Sequence, residues 1–131
     1  MSKSDILLTS INHFYSNPTH REKLLSILQK KSRISLRNIE WFITNYSRRN
    51  HTHYEIDGTP FVVHSAYKSS LDGFSKAFFD PFARSSKISY KVPGTEEEIS
   101  TTVAQLNFLR WVIRTKLLDY MEANRLTLFK K

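Results

Sequence analysis

Lys30, Lys31, Arg33 and Arg37 crowd one short stretch of this chain. Arg48 and Arg49 follow, and Arg84 and Lys87 form a further group. Lysine and arginine neutralise phosphates, and the counterions released in doing so drive association. Ser32, Ser35, Asn38 and Thr44 lie among these cations and carry groups that hydrogen-bond phosphate or base edges. The chemistry these types and spacings predict is phosphate contact, tolerant of sequence, with DNA or RNA as the partner.

Other chemistry has less to stand on. His51 and His53 alternate along an extended chain and so face the same way, with His64 further on. A metal site needs roughly three or four converging ligands with a supporting outer shell. Glu55 and Asp57 are nearby, but they form no ligand pattern, so no metal is assigned and these histidines read as solvated or core residues. The three glycines, Gly58, Gly73 and Gly94, fit no phosphate-cradling loop, and neither GxSxG nor HExxH occurs. The chain has no cysteine, which removes disulfides, thiolate nucleophiles and cysteine-held metals. The expectation is a non-catalytic protein with no catalytic residues and no cofactor.

A second class of function rests on aromatics. Trp41, Phe79, Phe82 and Trp111 are large enough to anchor a protein interface, through which the chain would self-associate or serve as an assembly adaptor. Its basic surface would then meet acidic protein segments.

These residues must be positioned by a fold, and the composition limits it. A chain of 131 residues is one ordinary domain, 1–131. Nine Phe, six Tyr and two Trp supply the area for a core. The net charge of +8 is uneven. Residues 1–50 hold nine Lys and Arg against three Asp and Glu, while the remainder holds eleven against nine. Such a balance favours anionic partners. No apolar run reaches the roughly 18–20 residues that span a bilayer, and the stretch near Ile6–Leu8 is too short for a signal peptide. The expectation is an intracellular protein with no membrane partner.

Apolar residues at helical spacing predict a helix over 4–16, capped by Ser4 or Asp5 and stopped at Asn17-Pro18. Thr19 and Glu22 have capping-box spacing for a second helix ending near Lys30-Lys31. Ser35 caps a third, over about 35–48, in which Trp41 lies off the buried stripe. This helix–turn–helix order makes Ser35–Arg49 a candidate groove-entering helix, although Trp41, Phe42 and Ile43 make it apolar enough for core. Asp57-Gly58 between β-rich runs predicts a hairpin, with Pro60 at a strand start or edge. Residues 65–79 predict a short helix, weakened by Gly73, before a turn at Asp80-Pro81. Lys87–Val92 alternates as a strand, and Thr95–Glu98 reads as an acidic loop or helix start. The clearest helix covers 101–123, capped by Thr102, and the tail 126–131 packs as a strand or frays.

Three stretches stand out as a set: Ser35–Ser47 (SLRNIEWFITNYS), Tyr67–Leu71 (YKSSL) with Phe79–Arg84 (FDPFAR), and Thr101–Trp111 (TTVAQLNFLRW). Together, over about residues 35–120, they resemble a family of small basic proteins encoded by nucleocytoplasmic large DNA viruses, the giant viruses. The resemblance implies a place in the host cytoplasm, the virus factory or the virion. It brings no activity with it, so no residue roles carry over. The fold expected is α+β: a small antiparallel sheet with a hairpin, packed against several helices, with a long C-terminal helix. The function expected is nucleic-acid association through phosphates, with the minor virion component or adaptor as the alternative.

Overall fold

The computed structural model describes residues 3–83 and 86–128. Helix α1 (Lys3–Tyr15) places Asp5 inside its first turn, where the carboxylate suits the amino-end dipole. Helix α2 (Pro18–Leu28) is capped by Asn17, whose side chain accepts from the amides of Thr19 and His20. Thr19 is therefore not the cap. Pro18 takes the first helical position, where its missing N–H is no loss, and that moves the start two residues earlier than the Thr19–Glu22 spacing predicts.

The third helix is one element in three parts: α3 (Leu36–Trp41), a π-helical turn (Phe42–Tyr46) and α4 (Ser47–Asn50). Ser35 caps it with a full capping box, because Asn38 returns a bond to the Ser35 amide. The widened turn has a local cause. Thr44 and Ser47 donate their hydroxyls to the carbonyls of Glu40 and Ile43, four residues back, which loosens the ladder. Ile39, Phe42 and Ile43 remain fully buried, so this helix is largely core. Its π-turn and α4 pack on the helix Val63–Phe74, whereas α2 packs on α1 and on the helix Val103–Arg114.

Strands β1 (His53–Ile56) and β2 (Thr59–Val62) form the predicted hairpin. Asp57 and Gly58 both take positive φ, 50° and 81°, as the two-residue turn requires. Pro60 pairs with Glu55 within the strand, in a ladder that has only one neighbour. Val63 and His64 are already helical, in α5 (Val63–Phe74), which is followed by the short α6 (Lys76–Phe79). Strand β3 (Ile88–Lys91) pairs with β4 (Glu98–Thr101). Glu98 thus lies in a strand, not in a loop or helix. The two hairpins are separate two-stranded sheets rather than one small sheet.

The expected long helix is two, α7 (Val103–Arg114) and α8 (Leu117–Ala123), with a last turn α9 (Arg125–Leu128). Thr102 caps α7 as expected, and Thr101 stays in β4. Lys116, at φ 63°, breaks the helix, and the Thr115 carbonyl there accepts the Tyr54 hydroxyl at 2.9 Å. Residues 126–128 of the tail are helical, and 129–131 lie outside the described residues. The α+β class holds, with α7 as its centre: α1, α2, α6 and α8 all pack against it. Residues 106–113 of α7 are buried all round, Arg110 included.

Candidate nucleic-acid interface

The cations of the sequence separate into distinct places. Lys30, Arg37 and Lys87 line one groove of about 680 Å³, together with Phe82. Lys30 directly follows the C-cap of α2, Arg37 comes from the first turn of α3, and Lys87 is the residue before β3. Ser32, Ser35, Ser100 and Gln105 add polar groups to its walls. Among the described residues no carboxylate lines it, whereas three other grooves contain acids: Glu22 and Glu97 in one, Asp119 and Glu122 in another, Glu96 in a third. The three cations are exposed, and among the described residues none forms an ion pair. An anion here meets positive charge that nothing in the walls offsets.

Lys30 reaches the groove at a conformational cost. It follows the last turn of α2 in the left-handed region, φ 59°, a place where glycine is common. The amides of Lys31 and Ser32 both close back on the Ser26 carbonyl at 2.9 Å, which holds the reversal. A left-handed lysine stores about 1–2 kcal/mol, and such strain often accompanies function.

The opposite wall is the Asp80–Phe82 turn. The Asp80 carboxylate accepts the Phe82 amide at 2.9 Å, and Gln105 donates to the Pro81 carbonyl at 3.2 Å. Gln105 is held in turn by the Thr101 hydroxyl at 2.7 Å. Pro81 is buried, yet Phe82 is 44% exposed. The Arg37 guanidinium carbon lies 5.1 Å from the centroid of the Phe82 ring, a cation–π distance.

The remaining predicted residues lie elsewhere. Lys31 lines the groove that holds Glu22 and Glu97, so its charge faces acids. Arg33 is exposed on the loop between α2 and α3. Arg48 and Arg49 end α4. Arg48 lies near His64 and Lys68 of α5; burial first, then these two cations, hold the His64 imidazole below its ordinary pKa. Arg84 lies outside the described residues. Of the polar neighbours, Ser35 and Asn38 cap each other's backbone amides, Ser32 accepts from the Ile34 amide, and Thr44 donates to Glu40. Their oxygens are largely engaged in shaping the loop.

Of the proposed aromatic anchors, Trp41 and Phe82 are on the surface, at 36% and 44% exposure. Phe79 and Trp111 are not. Both are core, with ring centroids 5.7 Å apart and further contacts to Phe108. Phe79 and Trp111 are structural residues and not interface anchors, because α6 and α7 press together and bury both rings. Among the described residues no three His, Asp or Glu side chains converge as a metal site. The His53 ring nitrogen Nδ1 is 2.9 Å from the His51 carbonyl, and His64 belongs to α5.

Ser100 carries little sequence signal, because the alternation of Glu98–Thr101 is short; Gln105 lies on the predicted helix, and only the packing of α7 against the Asp80–Phe82 turn brings it to the groove. Lys68 had a weak signal, the i, i+4 spacing from His64 on one helix.

Fold and groove together define a small α+β protein that presents one acid-free cationic groove beside a pinned aromatic turn. The chain matches a family of unknown function, DUF7197, over residues 1–131, and it belongs to that family. It is 39% identical over 107 residues to the uncharacterised protein L507 of Acanthamoeba polyphaga mimivirus. The match covers 76% of this chain and 41% of that protein, so the chain spans less than half the length of its relative. The giant-virus resemblance read from residues 35–120 is thus shown. No solved structure matches the chain. Among the described residues, no helix is long and apolar enough to cross a membrane.

Proposed function

We propose that this protein is a non-catalytic nucleic-acid-binding protein that holds its partner through phosphates. The observation that carries the reading is the convergence of Lys30, Arg37 and Lys87 on one groove without a carboxylate. Lys87, distant in sequence, is brought there by β3 to meet Lys30 and Arg37 of the α2–α3 stretch. Arg33, exposed on the loop between α2 and α3, and Arg48, exposed in α4, are further candidate contacts. Work in a virus factory or virion accords with the viral relative.

The test is a set of polarisation titrations with labelled DNA and RNA across salt concentrations. Micromolar or tighter binding near physiological salt, with a steep log–log slope, supports phosphate recognition. Binding that vanishes by moderate salt sinks it. The adaptor reading then takes precedence, on the exposed aromatics Trp41 and Phe82, the latter in contact with Arg37. Mass measured against concentration checks that alternative.

A further inference from the structure

We infer that the groove takes single-stranded nucleic acid, with Phe82 as a stacking platform for an unpaired base. This deepens the phosphate-binding reading and rests on it. Proteins that hold single strands combine a positive groove for the backbone with aromatic faces for the bases. Both elements occur here in one place. Lys30 and Lys87 supply charge, and Phe82 lines the same groove.

Phe82 is built for this use rather than left over. An exposed phenylalanine on a mobile loop would lose much of its stacking gain in being ordered. Here the backbone is already fixed: its amide is tied to Asp80, and the preceding carbonyl is tied to Gln105. Gln105 belongs to α7, the most buried helix of the fold. Arg37 lies at 5.1 Å from the ring centroid and braces it on one side. The ring nevertheless keeps 44% of its surface open, so it has area to offer. A guanidinium is itself a planar stacking partner, so Arg37 serves phosphate and base alike.

A duplex cannot use this arrangement. Its bases are paired and stacked inward, and it offers the groove only its phosphates. The structure therefore separates two contributions: charge, common to every nucleic acid, and stacking, available only to unpaired bases.

The experiment compares three labelled probes of equal length on the full chain near physiological salt: oligothymidylate, a duplex, and a strand carrying abasic sites in place of its bases. Oligothymidylate is expected to bind about tenfold more tightly than the abasic strand, in keeping with stacking on one aromatic. Phe82→Ala is expected to remove that difference, costing oligothymidylate about tenfold and the duplex and abasic strand much less, and Phe82→Trp to restore it. Circular dichroism verifies that each variant is folded. Equal affinity for oligothymidylate and the abasic strand in the native protein overturns the inference while leaving phosphate binding intact. So does an equal loss on all three probes in Phe82→Ala, or failure of Phe82→Trp to restore the preference. Absence of salt-dependent binding to every probe overturns the phosphate reading itself, and the inference with it.

Discussion

The guanidinium of Arg110 donates to the side-chain carbonyl of Asn107, one turn earlier on α7, at 2.8 Å. Asn107 passes the link on, donating to the Phe78 carbonyl at 2.7 Å, while Arg110 also donates to the Ser10 hydroxyl. The arginine is only 7% exposed, has no carboxylate among these partners, and leaves its Nε without a hydrogen bond. Burial first, and then the nearby Arg114, depress its pKa. Among the described residues, this buried cation joins α1 to α7 through neutral groups, so no carboxylate offsets its desolvation.

That relationship predicts an asymmetry. Arg110→Met keeps an apolar stem of similar length and removes the desolvated charge, so its cost is expected to stay below about 1 kcal/mol, or to reverse sign. Asn107→Ala removes the acceptor of one Arg110 guanidinium N–H and the amide donor to the Phe78 carbonyl, and is expected to cost about 2–4 kcal/mol. Urea denaturation of the two variants decides the matter. An Arg110→Met variant as damaged as Asn107→Ala would show that the guanidinium stabilises the core.

Reversing the groove cations tests the interface. Lys30→Glu, Arg37→Glu and Lys87→Glu combined should weaken nucleic-acid binding and flatten its salt dependence. On a single strand the log–log slope should fall by about 0.7 for each phosphate no longer neutralised. Stability should change little, because all three residues are exposed. Lys31→Glu, whose groove already holds Glu22 and Glu97, should have a smaller effect. Unchanged binding in the triple variant would place the binding surface elsewhere.

Lys30 and Lys116 form a matched pair for separating strain from binding. Both take positive φ, 59° and 63°, but only Lys30 lines the groove. Lys30→Gly and Lys116→Gly should each stabilise the fold by up to about 1 kcal/mol, since glycine has no Cβ to strain there. Only Lys30→Gly should weaken binding. Thermal melts and titrations of the same two variants give both readouts, and equal affinities would deny Lys30 its role.

Alkaline titration probes the tyrosines. Burial first, then Asp80 and Glu40, push the Tyr67 phenol up to about 12, and burial alone pushes Tyr90 up to about 12. Burial and the nearby Tyr90 raise Tyr15 further in the same direction, against a smaller opposing pull from Arg110. In the unfolded chain these groups ionise near 10, so above that pH the unfolded state holds fewer protons. Stability from these residues is complete below pH ~10 and falls as pH rises toward the folded-state values, by at most about 1.4 kcal/mol per pH unit for each tyrosine. Melting temperatures that stay flat from pH 10 to 12 would contradict the burial of these hydroxyls in solution.

Local signals explain the parts of the fold that were legible. Ser35 and Thr102 cap helices because a hydroxyl beside a helical run has amides to accept from, a relation confined to a few residues. Asp57-Gly58 makes its turn because two adjacent residues must take positive φ. The strand Glu98–Thr101 gave no such signal. Its alternation is short, and its acidic start imitates a helix beginning; pairing with Ile88–Lys91 is what fixes it. The break at Lys116 was equally silent, since lysine rarely marks a left-handed residue. The Tyr54 hydroxyl on the Thr115 carbonyl, 61 residues away in sequence, belongs to that geometry.

The sequence by itself determined a basic, cysteine-free α+β protein with capped helices and at least one hairpin, because charge, composition and local periodicity are properties of neighbours along the chain. The tertiary structure decided which cations act together. Lys30, Arg37 and Lys87 share a groove, Lys31 lines another with Glu22 and Glu97, and Arg48 lies near His64 of α5. It also decided that Phe79 and Trp111 are core while Phe82 is open. Proximity and burial depend on how distant elements pack around α7, and no spacing within a single segment encodes that.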